Sequence, residues 1–182
     1  MRSQAGDPGD EAEVQRILDA RARKAARPEA AGEPEDVLEV LCFSLGGERY
    51  AVETRYVGEV RHLARLTLLP GAPAFLSGVM SLRGRVLAVI DLGTFFGFPE
   101  PSGADSHVVI VLRDRGSEFG LLAQSVDGVL AVPVSTLGGG GPIVHGHGER
   151  FFKGFTVAML AVLDGAQLLA DDALKVGRQI PR

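Results

Sequence analysis

Phe75-Leu76-Ser77-Gly78-Val79-Met80-Ser81-Leu82-Arg83-Gly84-Arg85-Val86-Leu87-Ala88-Val89-Ile90-Asp91-Leu92 reads as two apolar strands folded back over a tight turn at Arg83-Gly84. The second strand, with its unbroken Val86-Leu87-Ala88-Val89-Ile90, lacks polar alternation, so it reads as a buried strand. Pro70-Gly71-Ala72-Pro73 closes the pair off on one side. On the other, Thr94-Phe95-Phe96 predicts a short helical turn before a loop over Gly97–Ser106. The same pattern of short strand and turn extends both ways. Upstream, Val37–Leu45 and Glu48–Glu53 flank the hairpin turn Gly46-Gly47, with Tyr50 and Val52 alternating with polar neighbours. Arg55–Leu63 carries Val57, Val60 and Leu63 with Glu59 between them, and fits a helical turn or a short strand. Downstream come His107–Leu112, Glu118–Ala123 and Val126–Val134, then a glycine-rich loop over Ser135–Gly148. A last pair, Arg150–Phe155 and Val157–Leu163, precedes a helical turn at Leu168 and Leu169, and the tail from Lys175 reads as loose.

Strands this short, without the helices a parallel sheet requires, predict an all-β fold of barrels or a sandwich. They are too many for one small barrel, so the expectation is two barrels sharing one hydrophobic core. The 182 residues suffice to bury such a core without help from metals or disulfides. Residues 1–36 stand apart in composition, rich in Ala, Glu, Asp, Arg and Pro. There Asp10 can cap a helix whose Val14, Ile17, Leu18 and Ala25 fall near one face until Pro28 ends it, and Ala30–Asp36 reads as a linker. The expected organisation is an N-terminal extension with an appended helix over 1–36, a barrel domain over 37–170 and a tail over 171–182.

Several function classes fall away at this level. A net charge of -4 gives no basic footprint for nucleic acid. No run approaches the roughly 20 apolar residues a membrane helix needs, and the N-terminus has no basic segment followed by an apolar one, so the expectation is a cytoplasmic protein without membrane insertion. The single cysteine, Cys42, lies in an apolar run and cannot form an internal disulfide. Gly138-Gly139-Gly140-Gly141 is followed by Pro142-Ile143 where a phosphate loop needs Lys and Ser or Thr. His145 and His147 with Glu149 invite a metal site, and through it a hydrolase, yet no further cluster completes a ligand set. His62 and His107 are isolated. No serine lies in a strand-turn-helix elbow, and Asp91, Asp127 and Asp164 each sit at an apparent strand end, where aspartate usually serves turns. The expectation is no catalytic residue, no metal and no cofactor.

What remains is Glu59 among apolar residues and Arg83 in Ser81-Leu82-Arg83-Gly84, two charges on apolar elements that each need a partner or water. Turn chemistry explains Gly84 but accounts for Arg83 only as an exposed tip. At these residues the chain resembles the CheW family of chemotaxis coupling proteins, over about Val37–Leu169. Leu41–Tyr50 resembles the family's opening hairpin, and Val57-Gly58-Glu59-Val60 its Val-x-Glu-Ile/Val segment. Pro70–Val79 is similar to the stretch leading to the Asn-Leu-Arg-Gly signature, here Ser81-Leu82-Arg83-Gly84. Val89-Ile90-Asp91-Leu92 and Phe119-Gly120-Leu121-Leu122 resemble two further family strands. Ser81 replaces the signature Asn, and Gln124-Ser125 stands where the family usually has Asp-Gly.

The resemblance implies two five-stranded SH3-like barrels around a shared core. It implies a non-enzymatic adaptor that binds the chemoreceptor cytoplasmic tip in the groove between the barrels and the regulatory domain of a CheA-type histidine kinase. A scaffold of a non-chemotactic chemosensory pathway, controlling surface motility or gene expression, is the alternative it leaves open. Carried over by position, the partner-binding residues, in contact with the receptor or supporting that surface, would be Val57, Glu59, Gly78, Ser81, Arg83, Gly84 and Gly120, with Glu59 and Arg83 paired.

Overall fold

The computed structural model describes residues 36–63, 65–98, 108–139 and 148–175. The helix expected after Asp10, His107, His145, His147, most of the loop after Gly97 and the tail past Lys175 lie outside them. The strands are β1 (Val37–Leu45), β2 (Glu48–Glu53), β3 (Val57–His62), β4 (Leu76–Leu82), β5 (Arg85–Ile90), β6 (Val108–Asp114), β7 (Ser117–Ala123), β8 (Ser125–Pro133), β9 (Phe152–Phe155) and β10 (Ala161–Leu163). Two short helices, α1 (Leu92–Phe96) and α2 (Gly165–Ala170), follow β5 and β10. Asp91 and Asp164 cap them, each accepting the backbone N–H three residues on, from Thr94 at 3.2 Å and Gln167 at 3.1 Å.

The strands form two five-stranded sheets, ordered β8-β1-β2-β10-β9 (barrel I) and β3-β6-β7-β5-β4 (barrel II). Replacing every strand by the one five places away in the chain turns the first order into the second. Each barrel therefore takes one hairpin from one half of the chain and three strands from the other, so neither half can complete a barrel alone. Both sheets curl until their edges meet, and they close by the same device. In barrel II, Thr67 exchanges two backbone hydrogen bonds with Val79 of the edge strand β4, at 2.8 and 2.9 Å. In barrel I, Gly138 exchanges two with Phe155 of β9, both 2.9 Å.

This arrangement explains the unbroken apolar runs. Leu87 and Val89 of β5 point into barrel II with Val109, Val111 and Leu122. Their neighbours Ala88 and Ile90 point the other way, into a core shared with Leu41, Phe43, Tyr50 and Val52 of barrel I. Val40, Cys42, Ala51 and Val162 fill barrel I itself. Strands buried on both faces have no polar side to show. The Gly46-Gly47, Arg83-Gly84 and Arg115-Gly116 turns have positive φ at both positions, the geometry whose twist suits a two-residue hairpin.

Two local expectations change. Arg55–Leu63 contains both elements it was compatible with, because a 3-10 turn over Thr54–Tyr56 leads directly into β3. The strand expected over Val157–Leu163 is confined to Ala161–Leu163. Thr156–Met159 is a turn, with the Met159 N–H bonded to the Thr156 carbonyl at 2.9 Å and Val157 98% exposed.

Tyr50 is fully buried in the shared core, stacked on Phe43, and its hydroxyl finds no hydrogen-bond partner among the described residues. Burial pushes that hydroxyl up from the ordinary 10.0 to about 12, with the Glu48 carboxylate adding to the shift. The folded state holds the proton more tightly than the unfolded chain. Stability from this group is therefore complete below the unfolded value and is lost as pH rises through the folded one. Tyr50→Phe is expected to leave stability at pH 7 unchanged or raise it by about 1 kcal/mol. It should also flatten the fall of the urea midpoint in the alkaline range between the two values, and an equally steep fall in the variant would show that another group controls it.

Candidate functional site

Strand directions bring the start of β3, the β4–β5 turn and the β6–β7 turn to one end of barrel II. The pairing of β3 with β6 skips Gly58, matching Val57 with Leu112 and Glu59 with Val111, so the strand bulges there. The bulge leaves Val57 half-buried against the shared core while Glu59 reaches the surface. One carboxylate oxygen of Glu59, Oε2, accepts from Arg83 Nη2 at 3.2 Å and from Arg61 Nε at 2.9 Å. Glu59 lies on β3 and Arg83 on the turn after β4, the two opposite edges of the sheet, so the ion pair crosses the seam along which the barrel closes. The Arg83 side chain is 68% exposed, which puts the pair among surface ion pairs.

The structure divides the seven residues expected at a partner interface. Glu59, Ser81, Arg83 and Gly84 share this surface and Val57 supports it from beneath. Gly78 and Gly120 are buried in the barrel beneath that surface. At Gly78 φ is +143°, and a Cβ would stand 2.8 Å from the Thr67 carbonyl oxygen, the acceptor of the closing bridge. At Gly120 a Cβ would stand 2.6 Å from Val109 Cγ1 inside barrel II. Both glycines shape the barrel that carries the edge.

Three features escaped the sequence reading. Glu53, 5% exposed, pairs with Arg55 Nε at 2.7 Å and Lys153 Nζ at 3.0 Å, tying β2 to β9. The signal was a carboxylate in phase with the inward-facing Ala51, visible only once the inward face is known. Phe96 of α1 contacts Phe95, Phe98, Phe151 and Phe152, a half-buried aromatic cluster where the two barrels meet. Arginines also gather around the β6–β7 turn, from elements far apart in the chain.

Among the described residues no group of three His, Cys, Asp or Glu side chains is placed to hold a metal ion, and no helix is long and apolar enough to cross a membrane. Burial pushes the Cys42 thiol up, away from the reactive thiolate. The arrangement offers a two-barrel body with a polar edge and an apolar junction.

Comparison with known proteins agrees with this picture. The CheW-like domain family matches residues 39–173, which span both barrels. The chain is 35% identical over 94 residues to the probable chemotaxis protein CheW of Rhizobium etli, covering 52% of this chain and 61% of that protein. It is 34% identical over 94 residues to Protein PilI of Pseudomonas aeruginosa, covering 52% and 53%, and 33% identical over 99 residues to Protein FrzA of Myxococcus xanthus, covering 54% and 62%. The chain thus spans a little over half the length of these curated relatives. The solved structure of the scaffolding protein TtCheW from Thermoanaerobacter tengcongensis superposes with a TM-score of 0.60 at 25% identity, covering 71% of this chain and 90% of that one. The two sheets are the paired SH3-like barrels of that fold, and the chain belongs to the CheW-like domain family.

Proposed function

We propose that the chain is a non-enzymatic adaptor that couples the cytoplasmic tip of chemoreceptors to the regulatory domain of a CheA-type histidine kinase. The observation that carries this reading is the Glu59–Arg83 edge, exposed on a fold shared with a solved scaffolding protein. An adaptor works by geometry: it holds two partners on one rigid body, and the state of one biases the other. The interlocked barrels supply the rigidity, and the aromatic junction between them supplies an apolar surface beside the groove. The mechanism calls for no cofactor and places the protein in the cytoplasm, recruited to receptor arrays. PilI and FrzA among the relatives favour a second reading, in which the array belongs to a pathway controlling surface motility or gene expression. The receptor and kinase recovered with the chain from its native cell would separate the two.

The edge makes a direct prediction. Because the pair is exposed, Arg83→Ala and Glu59→Ala should each lower stability by about 0–1 kcal/mol, leaving the urea midpoint nearly in place. Binding of a receptor cytoplasmic fragment should weaken about tenfold, equivalent to about 1.4 kcal/mol, and more than binding of the kinase domain. Variants that fold normally and keep full receptor affinity would remove the edge from the interface. Unfolding of either variant would assign the pair to the barrel seam instead.

A further inference from the structure

Beside the Glu59–Arg83 edge, a cleft of about 420 Å³ opens between the β6–β7 turn, the start of β5 and the 3-10 turn before β3. Its walls carry Arg55, Arg85, Arg113 and Arg115 against only Asp114 and Glu118. Internal pairing uses part of this charge. Arg85 grips Glu118 through its two terminal guanidinium nitrogens, Nη1 at 3.0 Å and Nη2 at 3.4 Å, and Arg55 pairs with Glu53 while lying 4.8 Å over the Tyr56 ring. Two guanidiniums remain. Arg113 has no ion pair among the described residues, and Arg115, 94% exposed, comes no closer than 3.9 Å to its neighbour Asp114. A chain of net charge -4 thus concentrates positive charge at one end of one barrel.

A second, smaller hollow of about 160 Å³ shares the Gly116–Glu118 rim. Its walls include Val86, 67% exposed next to the likewise exposed Arg85 at the start of β5, with the buried Phe119 and Leu174 behind and Glu118 and Lys175 at the sides. A hollow of mixed lining, with Val86 as its exposed apolar wall, borders the cationic cleft and suits a ligand with a hydrophobic side chain beside its anions.

We propose that this composite surface docks an acidic peptide segment of a partner protein, with carboxylates on Arg113 and Arg115 and an apolar side chain against the exposed Val86 at the neighbouring hollow. The planar guanidinium fork matches a carboxylate in two parallel hydrogen bonds, and the pre-existing Arg85–Glu118 pair shows that geometry in place. Nucleic acid fits less well, because the hollow presents aliphatic groups and one deeply buried ring, with no exposed aromatic for base stacking. The docking chemistry does not depend on which protein the Glu59–Arg83 edge serves.

The test uses the full chain and a fluorescein-labelled, end-blocked hexapeptide with four glutamates, one leucine and one phenylalanine, read by anisotropy. Wild type should bind, and raising NaCl from about 50 to about 300 mM should weaken binding several-fold as charge is screened. Arg113→Glu with Arg115→Glu should weaken it at least tenfold at an unchanged urea midpoint. Arg65→Glu, an exposed site beyond the other end of β3, alters net charge and should stay within twofold. Since Arg113 also packs over Gly58, Arg115→Glu alone is the second variant, with an expected several-fold loss. Absence of wild-type binding, or equal losses in the Arg65 and Arg115 variants, would overturn the proposal. A polythymidine dodecamer or inorganic phosphate that competes better than the peptide would overturn the peptide assignment.

Discussion

Gly120→Val is expected to cost the fold about 3 kcal/mol, the usual upper range for forcing extra methyl groups into a packed interior. Even a bare Cβ at this position would stand 2.6 Å from Val109 Cγ1, 3.2 Å from Leu87 Cδ2 and 3.4 Å from Val89 Cγ2. Those neighbours sit on β5 and β6, which pair on either side of β7 and are themselves buried on both faces, so neither strand can step back. For a chain of this size the melting temperature should fall by roughly 10 °C. Adding Val109→Ala should recover part of the loss by vacating the clashing atom, an outcome that a partner-contact role for Gly120 does not predict. A Gly120→Val protein with an unchanged melting temperature and weakened partner binding would return Gly120 to the interface and refute the packing account.

Gly78→Ala should lower stability by about 2–3 kcal/mol, through a different mechanism. The backbone there has φ of +143°, which side chains rarely adopt, and the added Cβ would meet the Thr67 carbonyl oxygen at 2.8 Å. That oxygen accepts the Val79 N–H at 2.9 Å, so the clash falls on the bridge that closes barrel II. The expected signature is local: amide exchange at Thr67 and Val79 should accelerate more than exchange in β6 or β7. Gly154 repeats the arrangement in barrel I, at φ of +152° with a Cβ 2.9 Å from the Gly138 carbonyl oxygen, and Gly154→Ala should behave alike at Gly138 and Phe155. Uniform acceleration across the barrel would show that closure is not a separable event.

The strands were legible because their signals are local. Leu87–Ile90 reads as buried from its lack of polar alternation, although Val86 of the same run stands 67% exposed, and Arg83-Gly84 reads as a turn from its own chemistry. The limits were equally physical. Pairing across the sheet is not encoded in neighbouring residues, so the exchange of strands between the two halves was invisible in the sequence. Gly120 in a strand and Gly84 in a turn are the same letter, and only the distance to Val109 separates an interior glycine from a surface one. Thr156 and Val157 are β-branched and favour a strand, yet the chain turns over Thr156–Met159 and leaves Val157 in solvent. The arginine cleft gathers residues from three separate elements, a convergence that no window along the chain contains.

The central claim is that one rigid body holds two partners at once. Analytical ultracentrifugation of the full chain with a receptor cytoplasmic fragment and a kinase regulatory domain from the same genome tests it most directly. The account predicts a complex with each partner alone at micromolar concentration and a heavier species containing all three when they are mixed. Sedimentation of the chain as a free species in every mixture would contradict it, as would two binary complexes that exclude one another.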